Sequence, residues 1–401
     1  MTAPLDGIRV VDFTRVLSGP SCTKALLDLG AEVIKVEPPE GDLTRSAQPR
    51  VDGIPVYFAQ QNCGKRCVSI DLRTERGREI ARGLIDVADV VVENYRPGVM
   101  GKLGLGYGDV SVSNPGLVYC SISGYGQDGS ASGRRSYAPV VHAEMGVMEF
   151  AARKLGGDIR PEAVSHADLY SGLQAALAVT AALVQRGVTG RGQRIDVSMA
   201  EVVLQATEWT AVEVAGGEGE RLHVFGSFHA PVLRLADGTT VVVPGDPVST
   251  FPAWCRVMER PELLDDERLA TPAARHADRE HLLGVLREWA ATVPTFDAFE
   301  AAVGTQRMAA GTVRSLVDAL AEPWADERGA LVDVGAPGAP IRLPRSPFRF
   351  SDADVGTHGR PALQGEHNPE VLGELLGIAA DEVATLEDAG VLIRRVADPG
   401  A

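Results

Sequence analysis

Several features that would indicate other kinds of protein are missing from this 401-residue sequence. No apolar run approaches the ~20 residues that a membrane span needs. The N-terminus lacks the basic region and apolar run of a secretory leader. The net charge of −15 argues against nucleic acid as a partner. These absences favour a cytoplasmic protein with neither a membrane nor a nucleic-acid partner.

Cysteine is scarce, and its spacing argues against disulfides and against a zinc site. The five residues are Cys22, Cys63, Cys67, Cys120 and Cys255. They are scattered and odd in number, so we expect reduced thiols. Cys63 and Cys67 are four residues apart, but no second pair or nearby histidine completes a zinc-binding set. We therefore expect no metal site.

Two glycine motifs that carry well-known chemistry are absent as well. No serine lies in a GxSxG turn, which argues against a Ser/His/Asp hydrolase. The turn at residues 15–20 reads Arg-Val-Leu-Ser-Gly-Pro, with one glycine in place of the GxGxxG that cradles a pyrophosphate. A dinucleotide-dependent oxidoreductase is therefore disfavoured, although Glu37 falls where such folds place their ribose-binding acid.

The N-terminal third does contain a regular alternation of short apolar strands and helices. The predicted strands are 8–13, 32–37, 68–72, 87–92 and 117–122, and the predicted helices between them include 21–29 and 75–85. Strands and helices that alternate in this way form parallel sheets with helices on both faces. The pattern predicts an α/β fold with a Rossmann-like, doubly wound parallel sheet.

The remainder of the chain predicts a second, smaller α+β domain. Residues 216–220 read as a linker, 232–243 as a hairpin, and 282–291 and 296–303 as helices. The segment 326–347 is rich in Gly and Pro and is expected to lead back to the large domain. The predicted organisation is a large domain over 1–215, a small domain over 216–330, and a return to the large domain over 331–401.

The most informative segment is an Ala-rich helix predicted over 169–186. Leu173, Leu177 and Val184 recur at helical spacing and small residues fill other positions, so burial is expected nearly all round. Asp168 precedes the helix as its N-cap, where backbone N–H groups and the helix dipole favour the ionised carboxylate. An aspartate before a helix is usually only a cap, but an ionised, oriented carboxylate can also act as a nucleophile.

Motifs on both sides of Asp168 form an ordered series along the chain. They are 4–20, 29–37, 62–66, 69–72, 93–100, 104–107, 121–127, 166–176, 189–193 and 365–368. Each motif is weak by itself, but the series is specific. It resembles the class III CoA-transferase family, the CaiB/BaiF-type or formyl-CoA transferase-like proteins. In its coenzyme loop that family more commonly has Ala at the position of Ser18.

The resemblance implies a transfer of CoA from an acyl-CoA thioester to a free carboxylic acid. The aspartate that matches Asp168 is the family's nucleophile, which forms first a mixed anhydride and then an aspartyl-CoA thioester. Water must be excluded, because the anhydride hydrolyses readily. The resemblance also implies an interlocked homodimer in which CoA is a substrate and no prosthetic group is bound.

Residue-wise comparison with the family predicts a set of coenzyme-binding residues. They are Val16, Leu17, Arg45, Ile70, Asp71, Leu72, Arg73, Asn94, Tyr95, Arg96, Lys102, Arg135 and Tyr137. Arg45 could supply the charge that is lost where Pro38 replaces a frequent Arg. Residues 1–110 hold 14 Lys/Arg against 15 Asp/Glu, and residues 111–401 hold 25 against 39. The first segment therefore repels an anionic coenzyme least, although most single basic residues there are expected to be solvated surface charges.

One departure from the family pattern and two histidines keep alternatives open. Ala138 stands where the family usually has Asp or Glu, which leaves a non-catalytic, CoA-binding dimeric scaffold as one alternative. The other is a 2-methylacyl-CoA racemase, because racemases of this family pair a His with the helix-mouth Asp. Their His aligns nearer Tyr137 than His142, so a transferase is preferred. His166 is expected to be structural.

Overall fold

The computed structural model of the chain describes residues 2–216, 227–336 and 339–395. The chain divides into two units. The first comprises Met1–Ala152, Gly157–Glu208 and Trp324–Ala401, and the second comprises Arg153–Gly156 and Trp209–Pro323. The main segment of the second unit thus begins at Trp209 and ends at Pro323, slightly before the predicted limits of 216 and 330. Apart from Gly216, the predicted linker lies outside the described residues.

The described residues form thirteen strands, most of them short. They are β1 Arg9–Asp12, β2 Glu32–Glu37, β3 Arg50–Val51, β4 Ile54–Pro55, β5 Arg66–Ser69, β6 Val90–Glu93, β7 Val118–Ser123, β8 Arg194–Ser198, β9 Val232–Arg234, β10 Thr240–Val242, β11 Gly311–Thr312, β12 Leu331–Ala336 and β13 Ala339–Pro344.

Eighteen α-helices connect and cover these strands in the described part of the chain. They are α1 Ser18–Asp28, α2 Val56–Asn62, α3 Glu75–Asp86, α4 Val99–Lys102, α5 Tyr107–Val110, α6 Ala138–Glu144, α7 Val147–Leu155, α8 His166–Thr189, α9 Met199–Ala206, α10 Thr210–Val214, α11 Pro247–Val257, α12 Pro272–Ala277, α13 Arg279–Ala290, α14 Phe296–Gly304, α15 Leu316–Leu320, α16 Pro323–Glu327, α17 Asn368–Leu376 and α18 Ala380–Asp388.

Six strands of the first unit form one parallel sheet, in the order β5-β2-β1-β6-β7-β8. The predicted parallel sheet is therefore present, and each of its five predicted N-terminal strands overlaps an observed one. The chain order reverses between β1 and β6. At such a reversal the loops that follow the two strands leave in opposite directions and open a crevice at the carboxyl edge of the sheet.

Both faces of this sheet are buried, which explains why its strands are almost continuously apolar. Successive side chains along a strand point to opposite faces. Val10 and Val33 pack on one side with residues of α1, α8 and α9. Val11 and Ile34 pack on the other side with residues of α3, α17 and α18. The sheet is consequently a rigid platform for the loops at its carboxyl edge.

The second unit is built around a small antiparallel sheet in the order β11-β10-β9. The predicted hairpin at 232–243 is formed by β9 and β10, and the two predicted helices match α13 and α14. Phe251, Trp254 and Phe299 are fully buried in the core between these helices and the sheet.

The segment 326–347 was predicted as an irregular return, but it contains the antiparallel hairpin of β12 and β13. Val334, Ile341 and Leu343 are buried against Phe58 of α2 and its neighbours. Gly and Pro in this segment obscured an alternating apolar pattern. The hairpin is stabilised by burial against α2, which the local sequence does not reveal.

The helix α8 differs from the prediction in which of its faces is buried. Its small residues Gly172, Ala175 and Val179 are buried, whereas Leu173 and Leu177 are 54% and 65% exposed. Small side chains let neighbouring backbones approach closely, so they occupy the packed face and the leucines remain outside. The expectation of burial nearly all round was wrong.

The same helix contradicts the expectation that no apolar segment approaches membrane-spanning length. By length and composition alone, the 24 residues of α8 are apolar enough to cross a bilayer, with a mean hydropathy of 1.3 over the best window. Ala175, Ala176 and Val179 of α8 belong to the buried core of the first unit, together with Cys22 and Leu26 of α1. A helix in the core of a domain has this composition too.

Gly172 marks the closest approach of α8 to α1. A Cβ atom at this position would lie 2.0 Å from Ser21 Oγ, 2.6 Å from the Ser18 carbonyl oxygen and 3.1 Å from Cys22 N. Two of these three atoms belong to the backbone of α1 and cannot rotate away. Glycine at 172 is therefore required for the two helices to touch.

Gly172→Ala should destabilise the protein by about 2–3 kcal/mol, because α1 and α8 would have to separate. Gly187→Ala on the same helix is the matched control, since nothing lies within 4 Å of a Cβ atom there. That control should be neutral or stabilising by up to about 1 kcal/mol, because Ala favours helix more than Gly does. Thermal unfolding of both variants checks the prediction. Equal effects of the two substitutions would contradict this account of the contact between the helices.

Candidate active site

A cavity of about 490 Å³ lies at the carboxyl edge of the parallel sheet, where the strand order reverses. Its walls come from the loops that follow β1, β6 and β7, together with the start of α8. The lining residues are Arg15, Val16, Ser18, Leu43, Asn94, Tyr95, Arg96, Pro97, Val99, Ile122, Ser123, Gly124, Ser132, Arg134, Arg135, Ser136, Tyr137, Asp168 and Met199. This is the position at which open α/β sheets bind ligands.

Asp168 is the only carboxylate among the described residues that line this cavity. It lies in the first turn of α8, whose N-cap is Ser165, so the prediction that Asp168 is itself the cap was wrong. Hydrogen bonding to the hydroxyl and the backbone N–H of Ser18 and to the backbone N–H of Ala138 lowers the pKa of its carboxyl group. These donors are the first residues of α1 and α6.

Burial raises the pKa of Asp168 to about 6, even though the donors on Ser18 and Ala138 lower it. Loss of hydration thus outweighs the hydrogen bonds and the helix start, which were expected to favour the ionised form. Most molecules still carry a carboxylate here at pH 7. The raised pKa also makes this oxygen more basic than an exposed aspartate, and basicity favours nucleophilic attack.

The loop that follows β1 is held in an unusual conformation at the cavity wall. Val16 has φ +69°, a left-handed conformation that a β-branched residue rarely adopts. Its N–H donates to the Asp42 carboxylate at 3.2 and 3.3 Å. The backbone N–H and C=O of the preceding Arg15 both bond to the side-chain amide of Asn94, each at 2.9 Å. These contacts fix the peptide groups immediately before Ser18.

Beneath this loop lies a set of fully buried ion pairs. Lys35 Nζ is 3.0 Å from Asp42 Oδ2 and donates to the carbonyl of Thr14 at 2.9 Å. Lys65 Nζ is 3.0 Å from Asp12 Oδ2. Burial raises the pKa of Asp42, but Lys35 and the hydrogen bonds from Thr44 together outweigh it and hold that pKa at about 2. The expectation that basic residues of this segment are mostly surface charges fails for Lys35 and Lys65, which anchor the loop instead.

The predicted coenzyme-binding residues fall into two groups in the structure. Val16, Asn94, Tyr95, Arg96, Arg135 and Tyr137 line the cavity with Asp168, whereas Leu17, Arg45, Ile70, Asp71, Leu72, Arg73 and Lys102 do not. Arg45 binds Glu37 at 2.6 and 2.7 Å, so it does not supply the charge lost at Pro38. Lys102 is exposed at the end of α4. The role of both groups in coenzyme binding stays a prediction.

Sequence reasoning missed several polar residues of the cavity. Ser123, Ser132, Arg134 and Ser136 line it but were not among the predicted site residues, and neither was Ser18. Arg134 pairs with Glu144 and its guanidinium lies 4.9 Å from the centre of the Tyr125 ring. A usable signal existed for Ser18 and Ser123, because they lie at or just beyond the carboxyl ends of β1 and β7, where such sheets place ligands.

His142 and His166 lie near the start of α8 but do not line the cavity. His142 is 2% exposed, and its Nε2 accepts the backbone N–H of Ala167 at 3.0 Å. Burial lowers its pKa, so the imidazole is neutral and acts as the cap that Ser165 does not supply. His166 is 3.4 Å from Glu162 and stacks on Tyr170, in agreement with its expected structural role.

Comparison with known proteins identifies the family of the chain. Residues 5–368 match the family model of CoA-transferase family III. The chain belongs to that family. Succinyl-CoA:glutarate CoA-transferase of Mus musculus is 33% identical over 97% of this chain and 90% of that protein. Formyl-CoA:oxalate CoA-transferase of Streptomyces avermitilis is 33% identical over 98% of this chain and all of that protein.

A solved structure confirms the fold of this family III chain. The crystal structure of a CaiB/BaiF family protein from Brucella suis has a TM-score of 0.79 at 34% identity, and it covers 94% of this chain and all of that one. The predicted resemblance is confirmed, and the chain is a transferase of family III. The parallel α/β architecture is accordingly that of the CaiB/BaiF proteins.

Asp168→Asn should stabilise this transferase at pH 8 by about 1–3 kcal/mol. A carboxyl whose pKa is higher in the folded than in the unfolded state binds its proton more tightly when folded. Its ionised form therefore costs stability above pH 6, and the gain should fall through pH 6 and vanish below about pH 4. Urea unfolding at several pH values measures the effect.

Asp381→Asn is the matched control, because Asp381 lies exposed in the first turn of α18. There the same substitution removes only a favourable interaction with the helix start, so stability should fall by about 0.3–1 kcal/mol. If Asp168→Asn also loses stability at pH 8, the carboxylate is not the desolvated group with a raised pKa described above.

Proposed function

We propose that this chain moves CoA from an acyl-CoA thioester to a free dicarboxylic acid, with Asp168 as the nucleophile. The observation that carries the proposal is the environment of Asp168. Its carboxylate is partly buried, held by donors from Ser18 and Ala138, and placed in an arginine-rich cavity at the sheet's switch point. Such a carboxylate is oriented, ionised at neutral pH and more basic than an exposed one.

The reaction consists of four displacements at carbonyl carbons. A carboxylate oxygen of Asp168 attacks the thioester carbon, the C–S bond breaks, and CoA leaves as its thiolate to give a mixed anhydride. The thiolate attacks the aspartyl carbonyl carbon and releases the donor acid. The acceptor carboxylate then attacks the aspartyl thioester and releases the thiolate. Finally the thiolate attacks the acceptor's carbonyl carbon, which frees Asp168 without a net change in protons.

The acid substrates are proposed from the charge of the cavity. Arg15, Arg96 and Arg135 line it and make no ion pair with any residue that the structure describes. The Arg15 guanidinium instead lies 5.2 Å from the centre of the Tyr95 ring. Free guanidinium groups bind carboxylates in a fixed planar geometry. The relatives named above are named for succinyl-CoA and glutarate and for formyl-CoA and oxalate, and both of the free acids in these names, glutarate and oxalate, are dicarboxylic.

The phosphates of CoA would be attracted by the same excess of positive charge in the cavity. We assign coenzyme contacts first to the predicted residues that line the cavity, which are Val16, Asn94, Tyr95, Arg96, Arg135 and Tyr137. CoA acts here as a substrate, and the chemistry needs no prosthetic group. All five cysteines are unpaired and buried, which supports our proposal of a reducing, cytoplasmic location.

The two alternatives find less support. A racemase needs a second base opposite Asp168, but the imidazole of His142 is buried and bonded to Ala167, and Tyr137 occupies the cavity wall. A non-catalytic scaffold was suggested by Ala138. The backbone N–H of Ala138 nevertheless donates to Asp168, so this position contributes to the site without a carboxylate side chain.

Incubation with succinyl-CoA and no acceptor should load the chain with CoA, and hydroxylamine should then mark the peptide that contains Asp168. Asp168→Asn should lose the adduct and at least ~10³-fold in transfer rate, because the nucleophile is gone. Asp381→Asn should behave as wild type. Mass spectrometry of the peptides and of the labelled acids in the mixture measures both results.

A second incubation of the same protein, with a different acyl-CoA, distinguishes a transferase from a racemase. A 2-methylacyl-CoA held with the protein in deuterated water should gain no deuterium at the 2-position, because transfer of CoA requires no proton abstraction there. Two results together would show that the protein is a racemase and not a transferase. One is rapid deuterium uptake that is abolished by His142→Ala, and the other is an Asp168 peptide that hydroxylamine does not mark.

We also propose that the chain forms a homodimer through the outer face of α8. Leu173, Leu177 and Val184 are 54%, 65% and 69% exposed, and they follow one another along a single face of this helix. A contiguous apolar stripe of this kind indicates a protein interface. A second copy of the chain is the proposed partner, because the family resemblance implies interlocked dimers.

Introducing charge into this stripe should disrupt the dimer. The double variant Leu177→Glu with Val184→Glu should reduce the mass in solution from twice the chain mass toward the chain mass, because two carboxylates would be desolvated at each interface. Val112→Glu is the control, since Val112 is 84% exposed in a loop between α5 and β7. Static light scattering measures the masses. A wild-type protein that is monomeric at micromolar concentration would refute the proposal.

A further inference from the structure

The side chain of Ser18 lies between the loop after β1 and the carboxylate of Asp168. Ser18 is the first residue of α1, is 5% exposed and lines the cavity. Its hydroxyl oxygen accepts a hydrogen bond from Asn94 Nδ2 at 3.2 Å. Asp168 lines the same cavity, and hydrogen bonding to Ser18 lowers the pKa of its carboxyl group. Ser18 therefore connects Asn94, which follows β6, to Asp168 of α8.

The orientation of the Asn94 side-chain amide, which decides whether it donates to Ser18, is set by the backbone of Arg15. Asn94 Oδ1 accepts the Arg15 N–H at 2.9 Å, and Asn94 Nδ2 donates to the Arg15 carbonyl at 2.9 Å. A flipped amide would place NH₂ against N–H and oxygen against oxygen, so Asn94 has one orientation. A hydroxyl has a single hydrogen. Because Asn94 donates to the Ser18 oxygen, the hydroxyl hydrogen remains available to the Asp168 carboxylate.

The close contact of α1 with α8 brings these groups together. A side chain at Gly172 would strike the carbonyl oxygen of Ser18, so the small residue lets the start of α1 reach Asp168 one turn earlier on α8. Asp42 holds the strained Val16 peptide two residues before Ser18. The donor is therefore fixed in place before any substrate binds, as electrostatic preorganisation requires.

We propose that Ser18 is a further catalytic residue, whose hydroxyl, oriented by Asn94, holds one oxygen of the Asp168 carboxylate ionised and aimed into the cavity. The proposal rests on the proposed function in so far as Asp168 is the nucleophile. The hydrogen bond itself and its effect on the ionisation of Asp168 exist whether or not the protein transfers CoA.

Other titratable and charged groups surround Asp168 and remain unchanged in the test below. Burial raises the pKa of the Tyr57 phenol in α2, and the carboxylates of Asp168 and Asp42 raise it further. His142, His166 and Glu162 lie around the start of α8. Arg15, Arg96, Arg134 and Arg135 line the same cavity. Only the Ser18 hydroxyl is removed.

Ser18→Ala should raise the midpoint at which Asp168 ionises from about pH 6 to about pH 7, because one donor to the charged form is lost while burial remains. The acidic limb of the pH profile of kcat should move by the same amount, so kcat at pH 6.5 should fall several-fold. The KM for the acyl-CoA should change less than about twofold. Ser21→Ala is the matched control, because Ser21 lies one turn along α1 and its hydroxyl donates to the Ser18 carbonyl.

The ionisation is measured directly by ¹³C NMR of protein labelled at aspartate, with the Asp168 signal assigned by its loss in Asp168→Asn. Ser18→Gly, which also removes the hydroxyl and is tolerated at a helix start, should give the same displaced midpoint. If the protein forms the aspartyl-CoA adduct but the midpoint of Asp168 ionisation is unchanged in both Ser18 variants, the role of Ser18 is overturned and the proposed function is not. A displaced midpoint in a protein that forms no adduct would overturn the proposed function and, with it, the catalytic role.

Discussion

The contact between α1 and α8 at Gly172 is the constraint on which the rest of the site depends. Without a side chain at this position the backbone of α1 reaches α8, and Ser18 meets Asp168. The other small residues of α8 extend the same contact toward the sheet. Packing of this density transmits small displacements, so a single added methyl group at position 172 would move Ser18 away from Asp168.

A second constraint is the group of buried ions under the loop that follows β1. Burial of Lys35 and Lys65 costs free energy, which the carboxylates of Asp42 and Asp12 and the carbonyl of Thr14 offset. Buried pairs of this kind contribute little net stability. What they fix here is geometry, because the Asp42 carboxylate also holds the left-handed Val16 peptide. The first part of the cavity wall is consequently independent of ligand.

The reactivity of Asp168 follows from a balance between desolvation and hydrogen bonding. Burial raises its pKa, and the donors on Ser18 and Ala138 limit that rise to about 6. A fully exposed aspartate would be a weaker base, and a buried one without donors would be protonated at neutral pH. The arginines of the cavity make it positively charged, so in the proposed function the substrate-binding groups and the nucleophile are different residues.

The sequence by itself determined the parallel α/β core and the family, and it indicated Asp168 as a candidate site residue, because apolar periodicity and ordered motifs are local properties of the chain. Tertiary structure alone decided that Leu173 and Leu177 face outward, that Arg45 is bound by Glu37, and that Ser18 joins the site. Each depends on which residues distant in sequence approach one another. The pKa of Asp168 was misjudged for the same reason, since helix position is local whereas desolvation is a property of the packed site.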